Sequence, residues 1–154
     1  MSFVANQDWE LHQVDVVGAY LQGDLDEEIY MKLPEGIKEP GKEGWCWRLK
    51  KALYGLKQSG RQWKKKLDEA MAKLGFEKGQ ADECLYVLKE DRHIILMVLV
   101  YVDDMAVAGK KLALVKRFKC NLAERFDITD GGDLTFILGV QVIRNRQNCT
   151  IHMN

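Results

Sequence analysis

The segment Val98–Gly109, VLVYVDDMAVAG, sets two adjacent carboxylates, Asp103 and Asp104, into an otherwise apolar run. An ionised Asp is rarely buried unpaired, because removing its charge from water is costly. Such a pair either sits at a solvated turn or is meant to meet a cation. Asp15 lies in a comparable setting, VDVV. Two-metal phosphoryl transfer requires carboxylates from separate strands to converge on two divalent ions about 3.5–4 Å apart. Mg²⁺ takes hard oxygen ligands and keeps water and substrate phosphates in its shell. Asp15, Asp103 and Asp104 are therefore candidate metal ligands and catalytic residues. Taken alone, an Asp-Asp pair at a hairpin is more often turn chemistry.

The elements that would position these residues follow from periodicity. Trp9–Val17 (WELHQVDVV) mixes alternation with β-branched residues and reads as a strand. Gly18–Leu25 reads as a turn or short helix, Glu28–Leu33 as an extended piece, and Trp45–Leu49 as a short strand. The clearest helix spans about Gly60–Leu74, with Ser59-x-x-Gln62 as a capping box and Gly75 as its stop. Trp63, Leu67, Ala70, Met71 and Leu74 share one face, and Arg61, Lys64, Lys65 and Lys66 the other. A hairpin follows, with strands Cys84–Leu88 and His93–Val102 around a turn at Lys89–Arg92, and Met105–Ala108 continues the apolar pattern. A second helix spans about Lys111–Phe126, with Leu114 or Val115, Phe118, Leu122 and Phe126 inward. Gly131-Gly132 marks a turn, and Leu134–Ile143 with Thr150–Met153 forms a closing hairpin across the polar Arg144–Asn148. The order β, β, α, β, β, α, β, β predicts one α+β domain, an antiparallel sheet with helices on one face.

Composition narrows the class. Of 154 residues, 47% are hydrophobic and 30% charged, an ordinary globular balance. The longest apolar run, Ile94–Val102, falls far short of the ~20 residues a membrane helix needs, and no secretory signal pattern opens the chain. Cys46, Cys84, Cys120 and Cys149 are far apart with no C-x-x-C pair, which predicts reduced thiols rather than disulfides or a zinc site. Net charge is zero, which argues against a surface coated in basic residues for nucleic acid. The distribution is uneven, however: Asp8–Glu28 carries acids and no Lys or Arg, whereas bases dominate from Lys42 to Lys73. A chain split this way could hold a metal on one part and phosphates on the other. Solvated faces of surface elements are the simpler explanation.

Short motifs around the carboxylates sharpen this. Tyr101-Val102-Asp103-Asp104 in an apolar hairpin resembles the signature of reverse transcriptases. Asp15-Val16-Val17-Gly18-Ala19-Tyr20 resembles their first polymerase motif, and Leu53-Tyr54-Gly55-Leu56-Lys57-Gln58-Ser59 their second. Phe136-Ile137-Leu138-Gly139-Val140-Gln141-Val142 is similar to the primer-grip hairpin. DVVGAYLQGDLDEEIYMKLPEGI, CWRLKKALYGLKQSGRQW, ADECLYV and LVYVDDMAVAG together resemble the reverse transcriptase of copia-type LTR retrotransposons, from about Gln13 to Val142.

The resemblance implies a ferredoxin-like polymerase palm, with two main helices on one sheet face and a closing primer-grip-like hairpin. The fingers segment, the thumb and RNase H would lie outside it. It implies two Mg²⁺ or Mn²⁺ ions at Asp15, Val16, Asp103 and Asp104, joining a dNTP to a primer 3′-hydroxyl on an RNA or DNA template. Tyr20 would be the steric gate against a ribose 2′-hydroxyl, and Tyr54, Gly55, Lys57 and Gln58 would lie at the nucleotide. Tyr101, Arg61, Lys64, Lys65, Leu138 and Gly139 would meet primer and template. The partners implied are the rest of a Gag-Pol-like polyprotein, with integrase and RNase H, and no membrane. The location implied is a cytoplasmic virus-like particle with a nuclear stage. Apolar surface normally covered by fingers and thumb would favour self-association. Two departures stand out: Gly60 where the family commonly has Pro, and Ile128-Thr129-Asp130-Gly131-Gly132 where it usually has Met-Lys-Asp-Leu-Gly. The missing Lys leaves a proton donor to the leaving group unassigned. The Gly55–Ser59 and grip segments argue against another two-metal palm enzyme such as a nucleotidyl cyclase. A nucleic-acid-binding or structural remnant that no longer polymerises is the second reading of the same residues.

Overall fold

A computed structural model describes residues 1–37, 40–41 and 44–154; Lys42, at the head of the basic stretch, lies outside them. The architecture is mixed α/β, with antiparallel sheets and four helices among the described residues. The chain divides into two compact units, residues 1–18 with 68–154, and residues 19–67.

The larger unit is built on a six-stranded antiparallel sheet in the order β4-β5-β6-β7-β1-β8. Its strands are β1 (Glu10–Val16), β4 (Glu77–Lys78), β5 (Leu85–Glu90), β6 (His93–Tyr101), β7 (Asp104–Gly109) and β8 (Ile128–Asp133). Register fixes which side chains share a face. On β1, Val14 and His12 lie opposite Met105 and Val107 of β7, while Leu11, Gln13 and Asp15 lie opposite Ala108, Ala106 and Asp104. Val98 and Val100 of β6 join the first set, and Met97, Leu99 and Tyr101 join the second.

Helix α4 (Leu112–Ala123) packs on the first face, where Val14, Val16, Met105, Val107, Val115, Phe118 and Leu122 are all buried. Each such side chain stabilises by about 1.5–3 kcal/mol relative to exposure. The same face meets the C-terminal part of α3 (Ser59–Lys73). Its Asp68 carboxylate accepts the hydroxyl hydrogen of Tyr86, 2.5 Å away, and Phe76 packs edge-on to Phe118 at 5.3 Å. The second face is partly covered by a three-stranded sheet, β9 (Phe136–Ile137), β10 (Val140–Asn145) and β11 (Thr150–Met153), and by α1 (Ser2–Asn6). Val4, Trp9, Leu11, Ala106, Ala108, Leu134 and Val142 form the core there.

Several local expectations change. Gly131-Gly132 is not a turn: it lies in edge strand β8, where the register with β1 shifts between Gln13 and Val14 and Gly131 becomes the extra residue of a bulge. Leu134–Ile143 is not one strand, because Leu138-Gly139 turns the chain between β9 and β10. The short elements α1 and β4 had no periodic signal long enough to read. Val115, not Leu114, is the buried member of its pair. All four cysteines are free and exposed.

In the smaller unit, β2 (Tyr30–Lys32) pairs with β3 (Cys46–Arg48), Asp24 bridges to Lys51, and α2 (Ala19–Gln22) is a single turn. The start of α3 is not closed by a capping box. Ser59 is buried and donates its hydroxyl hydrogen to the Leu53 carbonyl, while the Gln62 side chain hydrogen-bonds Asp26. Among the described residues no helix is long and apolar enough to cross a membrane.

Candidate active site

Asp15 and Asp104 lie directly opposite each other across β1 and β7. The Val16 amide donates to the Asp103 carbonyl at 3.0 Å. That bond puts Asp15 and Asp104 in the non-hydrogen-bonded position of the ladder, where facing side chains come closest. Both project from the sheet face opposite α4. Like charges directly opposed destabilise a sheet, and the consequence is visible in Asp15. Burial raises its pKa first, and the neighbouring Asp103 and Asp104 charges raise it further.

Val102 and Asp103 form the two-residue turn between β6 and β7, with Tyr101 and Asp104 as the paired residues at its base. Val102 has φ +57°, whereas Asp103 is not in the left-handed region. This is the pattern that favours Gly at the first position. A β-branched residue held there stores about 1–3 kcal/mol of strain, the kind found at functional sites. Sequence reading found the two carboxylates but not this strain, since propensity would have excluded Val from the position.

Tyr101 is 59% exposed on the same face as Asp104 and Asp15. Leu138 and Gly139 have φ +51° and +78° between the paired Ile137 and Val140, as a type I′ hairpin requires. Leu138 is 52% exposed at the tip of that hairpin. Gln13, overlooked in the sequence, accepts the amide hydrogens of Thr135 and Phe136 at 3.2 and 3.4 Å. Its position two residues before Asp15 was the available signal, since strand period two places both on one face.

The carboxylates sense one another without forming a closed cage. Among the described residues no group of three or more His, Cys, Asp or Glu side chains is drawn together as a ready metal-ligand set. Their chemistry nevertheless suits a hard divalent cation: the donors are all oxygen, and their mutual repulsion is what a cation would relieve.

The second set of expected residues belongs to the smaller unit. Tyr20 and Tyr54 pack their rings at 4.6 Å and a 41° tilt. Gly55 has φ +95° with open space where a Cβ would sit, so the backbone itself demands glycine there. Lys57 is exposed, and Gln58 donates to Glu27 at 2.8 Å. The basic and acidic stretches largely meet each other. Asp24 receives Lys51 and, at 2.9 Å, Lys66, and these bonds lower its pKa. Arg48 pairs with Glu28 at 2.8 Å and Arg61 with Asp26 at 3.9 Å. Lys65 is exposed and Lys64 half-buried on the same helix. At Asp24–Glu28 the charge asymmetry thus becomes a set of local ion pairs.

The family model for "Reverse transcriptase (RNA-dependent DNA polymerase)" matches residues 1–154. The chain is 41% identical over 146 residues to the "Retrovirus-related Pol polyprotein from transposon TNT 1-94" of Nicotiana tabacum, covering 95% of this chain and 11% of that protein. It is 37% identical over 144 residues to the corresponding polyprotein from transposon RE2 of Arabidopsis thaliana, covering 94% of this chain and 10% of that protein. The RE1 polyprotein of the same plant is 35% identical, again over 144 residues, 94% of this chain and 10% of its own length. The chain therefore spans about a tenth of the length of these relatives. No solved structure matches it. The opposed carboxylates, the strained hairpin and these likenesses agree: the chain belongs to the reverse transcriptase family, a nucleotidyltransferase family, in the form carried by Pol polyproteins of copia-type transposons.

Proposed function

We propose that this chain is the palm portion of an RNA-directed DNA polymerase and holds the metal site for adding a dNTP to a primer 3′-hydroxyl. The observation that carries the reading is Asp15 facing Asp104 across β1 and β7, beside Asp103 in a strained two-residue turn. Asp15 and Asp103 are the principal ligands, Asp104 assists, and the Val16 backbone lies at the same strand end. Bound there, two Mg²⁺ or Mn²⁺ ions would activate the primer hydroxyl and neutralise charge on the triphosphate and the leaving pyrophosphate.

The residues themselves do the positioning. The β6–β7 turn fixes the direction of the Asp103 carboxylate, since a two-residue connection leaves the backbone little freedom. Tyr101 offers an exposed ring on the same face, against which the primer end can stack. The Leu138-Gly139 hairpin is the grip on the primer backbone. Tyr20 excludes a ribose 2′-hydroxyl, supported by its contact with Tyr54. Gly55 lets the backbone approach the nucleotide, with Lys57 and Gln58 beside it. Arg61, Lys64 and Lys65 meet template phosphates through salt-dependent contacts without sequence preference. The chain would act within a longer polyprotein that also carries integrase and RNase H, in a cytoplasmic particle with a nuclear stage.

Primer extension on an RNA template tests the reading. The expected result is dNTP incorporation that Asp103→Asn reduces by at least about a thousandfold, the scale of several kcal/mol of transition-state stabilisation. In the same assay Tyr20→Ala should admit ribonucleotides. No incorporation by the chain, alone or joined to its flanking polyprotein segments, would leave the remnant reading in its place.

A further inference from the structure

We infer that Gln13 is a positioning residue: its side-chain carbonyl tethers the start of β9 and thereby sets the Leu138-Gly139 hairpin over the face that bears Asp15 and Asp104. The inference rests on the polymerase reading for its purpose, but the tether stands on geometry alone. Gln13 shares its sheet face with Asp15, two residues on, and with Ala106 and Asp104 across the ladder. Its Oε1 is 3.2 Å from the Thr135 amide nitrogen and 3.4 Å from that of Phe136. Those two amides lead directly into β9. The β9–β10 register then continues through Phe136–Gln141 and Ile137–Val140 to the turn at Leu138-Gly139. A shift of Thr135 and Phe136 is therefore passed along a short paired segment to the hairpin tip.

A second feature explains why the tether can exist. Gly131 is the bulged residue of β8, opposite the register shift at Gln13. A Cβ added to Gly131 would lie 2.5 Å from both Cγ and Nε2 of Gln13 and 2.9 Å from its Cδ. No side chain fits there while Gln13 keeps its position. The bulge thus makes room for the Gln13 side chain on the way to β9. Gln13 and Gly131 act as one device, and a change at either should release the same two amides.

Hydrogen exchange on the 154-residue chain tests this. Gln13→Met keeps the length of the side chain but removes the acceptor, and Gln13→Glu keeps an acceptor oxygen. Gln13→Met should speed exchange at the Thr135 and Phe136 amides by about five- to tenfold, with Val14 and Met105 unchanged, and Gln13→Glu should restore protection. Gly131→Ala should reproduce the Gln13→Met pattern, and should add little in a Gln13→Ala background, because both changes remove one interaction. Unchanged exchange in Gln13→Met, or full additivity of the two changes, would overturn the tether. A general rise across β1 would reduce Gln13 to a packing residue and overturn it equally. The role in positioning is read from binding of a primer–template duplex in Mg²⁺. Gln13→Met and Gly131→Ala should each weaken it about threefold, and equal binding would overturn the role. If the unsubstituted chain binds no duplex, alone or joined to its flanking polyprotein segments, the polymerase reading fails while the exchange result still decides the tether.

Discussion

Asp15→Asn should stabilise the cation-free chain at neutral pH, although it alters the heart of the proposed site. Asp15 and Asp104 occupy a non-hydrogen-bonded pair of the β1–β7 ladder, which brings their carboxylates within about 5 Å of each other. Asp15 is exposed overall, and the burial that raises its pKa is partial, so water-like screening applies to the repulsion and 332/(80 × 5) gives about 0.8 kcal/mol. The Asp103 charge acts on Asp15 at least as strongly, for a total of about 1.6 kcal/mol. In a chain of this size that corresponds to a rise in Tm of about 3–6 °C. The sign follows from linkage. The pKa of Asp15 is raised in the folded chain, so the folded state binds its proton more tightly than the unfolded state does. The destabilisation is absent below the ordinary carboxylate value of 3.8, where both states are protonated, and develops as pH rises through the raised value. Thermal unfolding in EDTA at low ionic strength should therefore show Asp15→Asn ahead of the parent chain at pH 7 and level with it near pH 3. Adding Mg²⁺ should narrow the gap, since a cation at ten times its Kd stabilises the parent by about 1.4 kcal/mol and a variant that binds tenfold more weakly by about 0.4 kcal/mol. Loss of stability in EDTA at pH 7, or a gain that persists unchanged at low pH, would refute the account of the opposed carboxylates.

Other substitutions test the frame around the site. Lys119 is 6% exposed on α4, paired with Asp130 and 3.1 Å from His12 Nδ1, so Lys119→Met should cost less than about 1 kcal/mol while Asp130→Ala, which strands the ammonium, should cost about 2–3 kcal/mol in urea unfolding. Burial and then Lys119 lower the His12 pKa, so Lys119→Met should raise it in an NMR titration; in the parent chain this His contributes stability that is present above pH 6.5 and lost as pH falls through its lowered value. Tyr86→Phe deletes the bond to Asp68 at a 1% exposed position and should cost about 1–1.5 kcal/mol by denaturant unfolding. Leu138→Asn relieves a left-handed Leu at an exposed turn and should raise stability by about 1 kcal/mol, or about 2–4 °C in Tm, while weakening duplex binding.

The elements legible in the sequence were those whose pattern is local and long. Alternation in VDVV and VLVYVDDMAVAG placed Asp15 on a strand and Asp103 and Asp104 where a neighbouring strand ends in a tight turn, and the apolar stripe from Trp63 to Met71 identified α3. What escaped depended on partners far away in the chain. Gly131-Gly132 reads as a turn until β1 is placed beside it, where it becomes a bulge that admits Gln13. Ser59 and Gln62 fit a capping box by spacing, yet Leu53 and Asp26 compete for them. Lys119 looks like solvent-facing charge within its helix, and only Asp130 and His12 explain its burial. The acidic stretch at Asp8–Glu28 could have held a separate electrostatic surface, but the bases from Arg48 to Lys66 reach back to its Asp24–Glu28 end. Such exposed pairs are worth about 0–1 kcal/mol each and leave no periodic trace in sequence.

The central claim is that the carboxylates at the β1–β7 strand end hold the divalent ions, and Mn²⁺ titration of the 154-residue chain addresses it most directly. Asp15→Asn and Asp103→Asn should each weaken Mn²⁺ binding by at least about tenfold, equivalent to about 1.4 kcal/mol. Asp24→Asn, which removes a carboxylate engaged by Lys51 and Lys66, should leave the affinity unchanged. Equal affinity in the parent chain and all three variants would contradict the claim.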